Sequence, residues 1–166
     1  MGIEHSLPDG ALEKGRGGQK GRRWIVWVAS ALVVLLLVAL GFMWWRMNYV
    51  PSDLDYSTVR LTEQGLYRVG YAPDRDPIPV NQMQSWTLHV ETAAGEPVED
   101  AEIFVDGDMP QHGHGLPTQP MVTEYLGNGD YLVEGIKFQM SGWWVMDFTI
   151  SSGDQSDFVR FNLLVD

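Results

Sequence analysis

The feature that most constrains this chain is an apolar run from Trp24 to Trp45 that contains no charged side chain. As a helix rising about 1.5 Å per residue, a run of this length extends roughly 33 Å, enough to cross a hydrocarbon core of about 30 Å. Tryptophans stand at both ends of the run, where indole rings are well accommodated among lipid headgroups. Residues 24–45 are therefore predicted to form a membrane-spanning anchor helix.

Basic residues flank this run unequally, which predicts the orientation of the anchor. Only Arg46 follows the run closely, whereas five basic residues precede it: Lys14, Arg16, Lys20, Arg22 and Arg23. Positive charge favours the cytoplasmic side, so we expect a single-pass protein of the inner (cytoplasmic) membrane with its C-terminal part in the periplasm or on the outer surface. A cleaved signal peptide is the alternative, but its apolar region spans only about 7 to 15 residues and ends at a small-residue site, which is missing here.

Composition divides the rest of the chain into three further segments. Residues 1–23 are glycine-rich and basic, and are predicted to be a disordered cytoplasmic tail. Residues 46–57 are predicted to be a linker, and residues 58–166 an exported domain. The absence of cysteine excludes disulfides, thiolate metal sites and thiol catalysis.

Charge is also divided along the chain. Residues 1–46 carry six basic and three acidic side chains, and residues 47–166 carry five and nineteen, so net charges of +3 and -14 sum to -11. A domain this acidic repels nucleic acid and anionic lipid. Cations and cationic proteins are its expected partners, although solubility alone is the other explanation for scattered surface carboxylates.

Short alternating runs separated by turn residues begin at residue 58, a pattern typical of β-strands. The run 84–92 places Trp86, Leu88 and Val90 on one face of a strand. Two later runs each present one apolar face: Trp144, Met146, Phe148 and Ile150 in the first, and Val159, Phe161, Leu163 and Val165 in the second. About seven strands at this spacing predict an all-β, immunoglobulin-like two-sheet sandwich, with a closed barrel as the alternative. Tyr131, which follows a tight turn, is predicted to act as the tyrosine corner of such a sandwich.

The segment DMPQHGHGLPTQP, residues 108–120, has the pattern of a metal-binding loop. In an extended segment, residues two apart point to the same side, so His112 and His114 can present both imidazoles to one ion. Three prolines stiffen the segment. Met109 adds a thioether, and a histidine and methionine donor set without thiolate is suited to copper. Met109, His112 and His114 are therefore predicted metal ligands.

A fourth ligand has to come from elsewhere in the chain. Met140, at a predicted strand boundary, is the preferred candidate. Met121 and Met83 are the alternative candidates, although each is expected to be a core residue. Zinc is the competing ion and would need carboxylate help from Asp106 or Asp108. A stiff connection between the two sheets, without any metal, also explains the segment. His89 is interpreted as a surface residue, and His5 lies in the predicted tail.

Three motifs carry a resemblance to a known family. They are Met109–Gly115 (MPQHGHG), Gly127–Tyr131 (GNGDY) and Met140–Trp144 (MSGWW). In these motifs the chain resembles the YtkA-like and FixH-like group of small membrane-anchored bacterial domains, over roughly residues 60–165. The resemblance implies an exported sandwich domain. Some members of this group are linked to copper handling or to the assembly of haem-copper oxidases.

Two classes of function remain after this reading. In the first, the protein is an anchored copper-binding module that holds or delivers the ion outside the cytoplasmic membrane. In the second, it is a metal-free interaction domain that braces a membrane complex through a protein partner. Catalytic motifs such as Gly-x-Ser-x-Gly and His-Glu-x-x-His are missing from the sequence, so an enzyme is not expected.

Overall fold

The computed structural model describes residues 18–166, with side chains described from Arg23 onward. One helix and the strands of a β-domain follow one another along the chain. Their bounds are α1 Gly18–Asn48, β1 Val59–Leu61, β2 Tyr67–Pro73, β3 Gln84–Thr92, β4 Glu102–Met109, β5 His114–Gly115, β6 Met121–Gly127, β7 Asp130–Ile136, β8 Gly142–Ser152 and β9 Gln155–Val165.

Helix α1 is long and apolar enough to cross a membrane between Arg23 and Asn48. It includes residues 18–23, which were predicted to belong to the disordered tail. Extension of an existing helix adds one hydrogen bond per residue without a new nucleation cost, so the basic flank continues the helix. Residues 1–17 of the predicted tail, with His5, lie outside the described residues. The helical segment and the β-domain are separate compact units that divide after Arg46.

The β-domain is a sandwich of two antiparallel sheets, as the alternating runs predicted. Sheet A has the strand order β1-β2-β3-β7-β6, and sheet B has the order β5-β4-β8-β9. Because each sheet ends in its own edge strands, the domain is not the closed barrel that was the alternative. The connection from β4 to β6 crosses from sheet B to sheet A, so residues 108–120 do join the two sheets.

The core lies between the two sheets and contains the predicted apolar faces. The side chains of Trp86, Leu88, Val90, Trp144, Met146, Phe148, Ile150, Val159, Phe161, Leu163 and Val165 are all buried. Val145, on the opposite face of β8, is also buried, outside this core. Alternation assigns a residue to a face, but the neighbours on that face decide how much solvent reaches it.

Tyr131 is buried and its hydroxyl bonds the backbone, although not as the tyrosine corner predicts. The hydroxyl donates to the carbonyl oxygen of Val98 at 2.7 Å and accepts from the N–H of Ala101 at 3.0 Å. A tyrosine corner bonds the backbone only a few residues upstream, whereas these partners lie in the β3–β4 connection. Tyr131 therefore stabilises a turn that is remote in sequence.

Strand directions divide the connections between the two ends of the sandwich. One end, termed the loop end, carries the β2–β3, β4–β5, β5–β6 and β7–β8 connections. The opposite end, termed the turn end, carries the β1–β2, β3–β4, β6–β7 and β8–β9 connections. The predicted metal-binding segment is therefore at the loop end.

Candidate metal-binding site at the loop end

The histidine-containing segment is a tight hairpin and not only a loop. Strand β4 continues to Met109, and His114 and Gly115 in β5 pair back onto Met109 and Asp108. The carbonyl oxygen of Met109 accepts the N–H groups of His112 at 3.0 Å and Gly113 at 2.8 Å. Gly113 has a φ of 63°, a left-handed conformation that glycine adopts without steric cost. Pro110 and Pro117 stand beside these pairs, so the N–H groups that proline lacks remove no hydrogen bond from them.

The two imidazole rings lie near each other, although they do so across a turn at Gly113 and not along the extended segment that was predicted. The ring centroids of His112 and His114 are 6.3 Å apart, and the ring planes are inclined by 20°. His112 is half-buried and His114 is exposed. A nitrogen ligand lies about 2.0 to 2.1 Å from a zinc ion, and copper–imidazole bonds are of similar length, so both rings have to turn an edge toward a common point to share one ion.

Met109 is placed beside His114 but inside the core. The two residues are direct partners in the β4–β5 pairing, and opposed residues of an antiparallel pair point to the same face of the sheet. The Met109 side chain is only 2% exposed. Its terminal methyl lies 2.9 Å from the position that a Cβ on Gly142 would occupy, so this methionine packs against the start of β8.

The β7–β8 connection lies against this hairpin and carries Met140. The side-chain amide of Gln139 donates to the carbonyl oxygen of Gly115 at 3.1 Å. Met140 has 37% of its surface exposed, and its carbonyl oxygen accepts the indole N–H of Trp144 at 2.9 Å. The fold therefore brings the four predicted ligands to two adjacent connections at the same end. It leaves Met140 accessible and Met109 covered.

The other predicted side chains are placed differently from the expectation. Met83 and Met121 were expected in the core, but they are 55% and 59% exposed. Asp106 and Asp108 alternate with Met109 along β4, so their carboxylates point to the opposite face of sheet B. Among the side chains of residues 23–166, no group of three or more histidines, aspartates and glutamates is arranged to hold a metal ion. The zinc alternative therefore lacks its carboxylate ligand in this part of the chain.

His89 is at the surface, as predicted, but it has acidic neighbours that the sequence reading missed. Its Nδ1 lies 2.7 Å from a carboxylate oxygen of Asp130, and its Nε2 lies 3.7 Å from one of Glu91. Asp130 is its cross-strand partner on β7, so only the register of the sheet brings the pair together. This histidine and its carboxylate neighbours lie on sheet A, away from the loop end.

Comparison with known proteins finds one family model and several solved structures that are similar to this chain. A YtkA-like family model matches residues 74–149, and no curated protein matches the chain. A DUF4426 family protein from Pseudomonas aeruginosa PAO1 is 14% identical, with 66% of this chain and 96% of that chain covered and a TM-score of 0.48. The Lin-41 filamin domain is 12% identical, with 55% and 89% covered and a TM-score of 0.35. The ZirS C-terminal domain is 14% identical, with 69% and 81% covered and a TM-score of 0.35.

Proposed function

Since the β-sandwich of this chain is YtkA-like over residues 74–149, we propose that it is the exported part of a membrane-anchored protein that binds one copper ion at the loop end. His112 and His114 are the first two ligands in this proposal. Met140 is the accessible thioether ligand, and Met109 would join it only if its side chain left the core. The observation that carries the proposal is the proximity of the two imidazole rings across Gly113. Copper handling, or delivery to a respiratory membrane complex, is the role that we propose for such a site.

The donor set fits copper in its chemistry. Imidazole binds both oxidation states, and thioether favours Cu(I). The side-chain oxygen of Gln139 is buried and has no hydrogen-bond partner among the described residues. It lies in the connection that touches β5, and a metal-bound imidazole usually donates its second N–H to an acceptor of this kind. When bound, copper would supply redox or transfer chemistry, while the protein residues hold the ion and orient the rings.

We expect copper uptake to depend on the histidine pair. The full chain in detergent micelles would compete for Cu(I) with a chromogenic chelator, and the His112→Ala/His114→Ala variant would be compared with wild type. Loss of an outer-shell partner alone reduces metal affinity by about 10 to 100-fold, so the loss of two ligands should exceed about 100-fold. His89→Ala is the matched control, since it removes an imidazole outside the hairpin. No uptake by wild type, or equal uptake by the folded double variant, would leave a metal-free interaction module as the function.

The two methionines are expected to contribute unequally. Leucine has nearly the same volume as methionine, so both Met140→Leu and Met109→Leu preserve the packing. We expect Met140→Leu to weaken Cu(I) binding more than Cu(II) binding, because only the exposed thioether is free to reach an ion without rearrangement of the core. Competition titrations with each ion measure this difference. A larger effect of Met109→Leu would mean that the hairpin opens when copper binds.

The proposal also requires the β-domain to lie outside the cytoplasmic membrane. A reporter enzyme that is active only outside this membrane, fused after Asp166, is expected to be active because basic residues concentrate before the span. The same reporter fused to the N-terminus is the control and is expected to be silent. The reverse pattern would contradict the orientation.

A further inference from the structure

The free edge of β4 is a surface that the copper proposal does not use. Among residues 18–166, the strand that pairs along Glu102–Gly107 is β8, on one side only. Strand β5 covers only Asp108 and Met109 on the other side. The edge between Glu102 and Asp106 is therefore open.

The backbone groups that face this open edge can be identified from the hairpin. The carbonyl oxygen of Gly107 accepts the N–H of Leu116, and that of Met109 accepts the N–H of His112. Alternate residues of a strand direct their N–H and C=O groups to the same side. The N–H and C=O groups of Ile103 and Val105 therefore point to the open edge, where a further strand could pair with them.

A groove runs beside this edge. It has a volume of about 480 Å³ and is lined by Ile103–Asp106 of β4, by residues 118–120 of the crossing connection and by Met121 of β6. The hydroxyl of Thr118 in this lining is buried and has no hydrogen-bond partner among the described residues. Met121, also in the lining, is 59% exposed. The groove thus offers apolar surface to an incoming side chain.

The outward side chains of this edge have an acidic, aromatic, acidic order. Glu102 and Asp106 are exposed, and Phe104 between them is 67% exposed. Directly opposed side chains of paired strands lie on the same face, where opposite charges attract and like charges repel. A second copy of β4 centred on Phe104 would set Glu102 against Asp106, so self-pairing is disfavoured. A strand with basic residues two positions either side of an apolar one is complementary.

We propose that β4 is a docking edge for an extended segment of a partner protein with the order basic, x, apolar, x, basic. The segment adds as a strand beside β4 and pairs its backbone with Ile103 and Val105. Its two basic side chains lie against Glu102 and Asp106, and its apolar side chain lies against Phe104. Its two alternate side chains enter the groove. Backbone pairing supplies affinity in this mode of recognition, and the alternate side chains supply specificity.

The test uses the full chain in detergent micelles and a fluorescent pentapeptide of order Lys-Val-Phe-Val-Lys, capped at both ends. This order reads the same in both directions, so the test does not depend on strand direction. A peptide of order Glu-Val-Phe-Val-Glu is its matched counterpart. We expect the basic peptide to bind about tenfold more tightly or better, because two attractive cross-strand pairs replace two repulsive ones. At ten times Kd, amide exchange at Ile103 and Val105 should slow about tenfold.

Charge reversal separates docking from general attraction to an acidic domain. Glu102→Lys/Asp106→Lys is expected to reverse the preference between the two peptides. Glu96→Lys/Asp154→Lys makes the same change in net charge in exposed turns at the turn end and is expected to keep the wild-type preference. Three outcomes would overturn the proposal: equal effects of both variants, unchanged amide exchange at the edge, or self-association of wild type through β4 in light scattering.

Discussion

Replacement of Trp144 by alanine is expected to unfold the β-domain or nearly so. The side chain is fully buried between the sheets, and its ring packs edge-on against Phe138 with centroids 5.2 Å apart. Truncation of a buried tryptophan typically costs about 3 to 5 kcal/mol, a large part of a stability that is commonly about 5 to 15 kcal/mol. Urea unfolding of the full chain in micelles, followed by near-ultraviolet circular dichroism, measures the loss.

The adjacent tryptophan is the matched control. Trp143 points to the other face of β8, where it is half-buried, and its indole N–H donates to the side chain of Asn162 at 3.0 Å. Trp143→Ala removes the same atoms from a surface position, so a milder effect is expected. If both variants lost the same stability, the assignment of faces would be wrong.

Loss of the Asp157 carboxylate is expected to destabilise the turn end strongly. The carboxylate is buried and accepts the backbone N–H groups of Gln64 at 3.0 Å, Leu66 at 3.2 Å and Phe158 at 2.8 Å. It thereby joins the start of β9 in sheet B to the β1–β2 connection of sheet A. Gln64 is exposed, so water can replace the lost acceptor of its N–H group, whereas the N–H groups of Leu66 and Phe158 would be left unpaired. A buried donor left unpaired costs about 1 to 3 kcal/mol, so Asp157→Ala should cost about 2 to 4 kcal/mol in total. Asp154→Ala, in the exposed β8–β9 turn, is the control.

The same carboxylate makes stability depend on pH. Burial alone would raise the pKa of Asp157, but the Thr62 side chain and the backbone N–H groups of Phe158, Gln64 and Leu66 together outweigh burial and lower the pKa below its usual value. A lowered pKa in the folded state stabilises the fold above the unfolded pKa, which is about 3.9, and this contribution is lost as pH falls through the folded pKa. We expect the difference in unfolding free energy between wild type and Asp157→Asn to shrink below about pH 4. A difference that stays constant between pH 6 and pH 3 would contradict this role.

Much of the fold could be predicted because its signals are local. A charge-free run gives an apolar helix, and strand β3 was predicted over residues 84–92 with the bounds that the structure has. Alternation placed Trp86 and Phe161 in the core because successive side chains of any strand point to opposite faces. The backbone partners of Tyr131 could not be predicted in this way, since they depend on how two distant segments meet.

The candidate site was predictable only in part for the same reason. The spacing of His112 and His114 predicts two rings on one side of an extended segment, whereas the structure brings the rings to a centroid distance of 6.3 Å through a turn at Gly113. Met109 lies on the same face of β4 as Ile103 and Val105, which point to the core. Alternation along the strand would therefore have placed Met109 in the core if β4 had been predicted to extend to residue 109. The exposure of Met83 and Met121 had no sequence signal, because both residues stand at element boundaries, where packing and not periodicity decides burial.

The sequence by itself determined the apolar helix, the separation of a basic N-terminal part from an acidic domain, the alternating strands and the pair of histidines. These properties depend on residues that are adjacent or nearly adjacent in the chain, so they can be recognised without knowledge of the fold. Only the tertiary structure decided which strands become edges, that β4 stays open beside Ile103 and Val105, and that the β7–β8 connection contacts the histidine hairpin. Strand order and cross-strand register join residues far apart in sequence, and no local pattern encodes them.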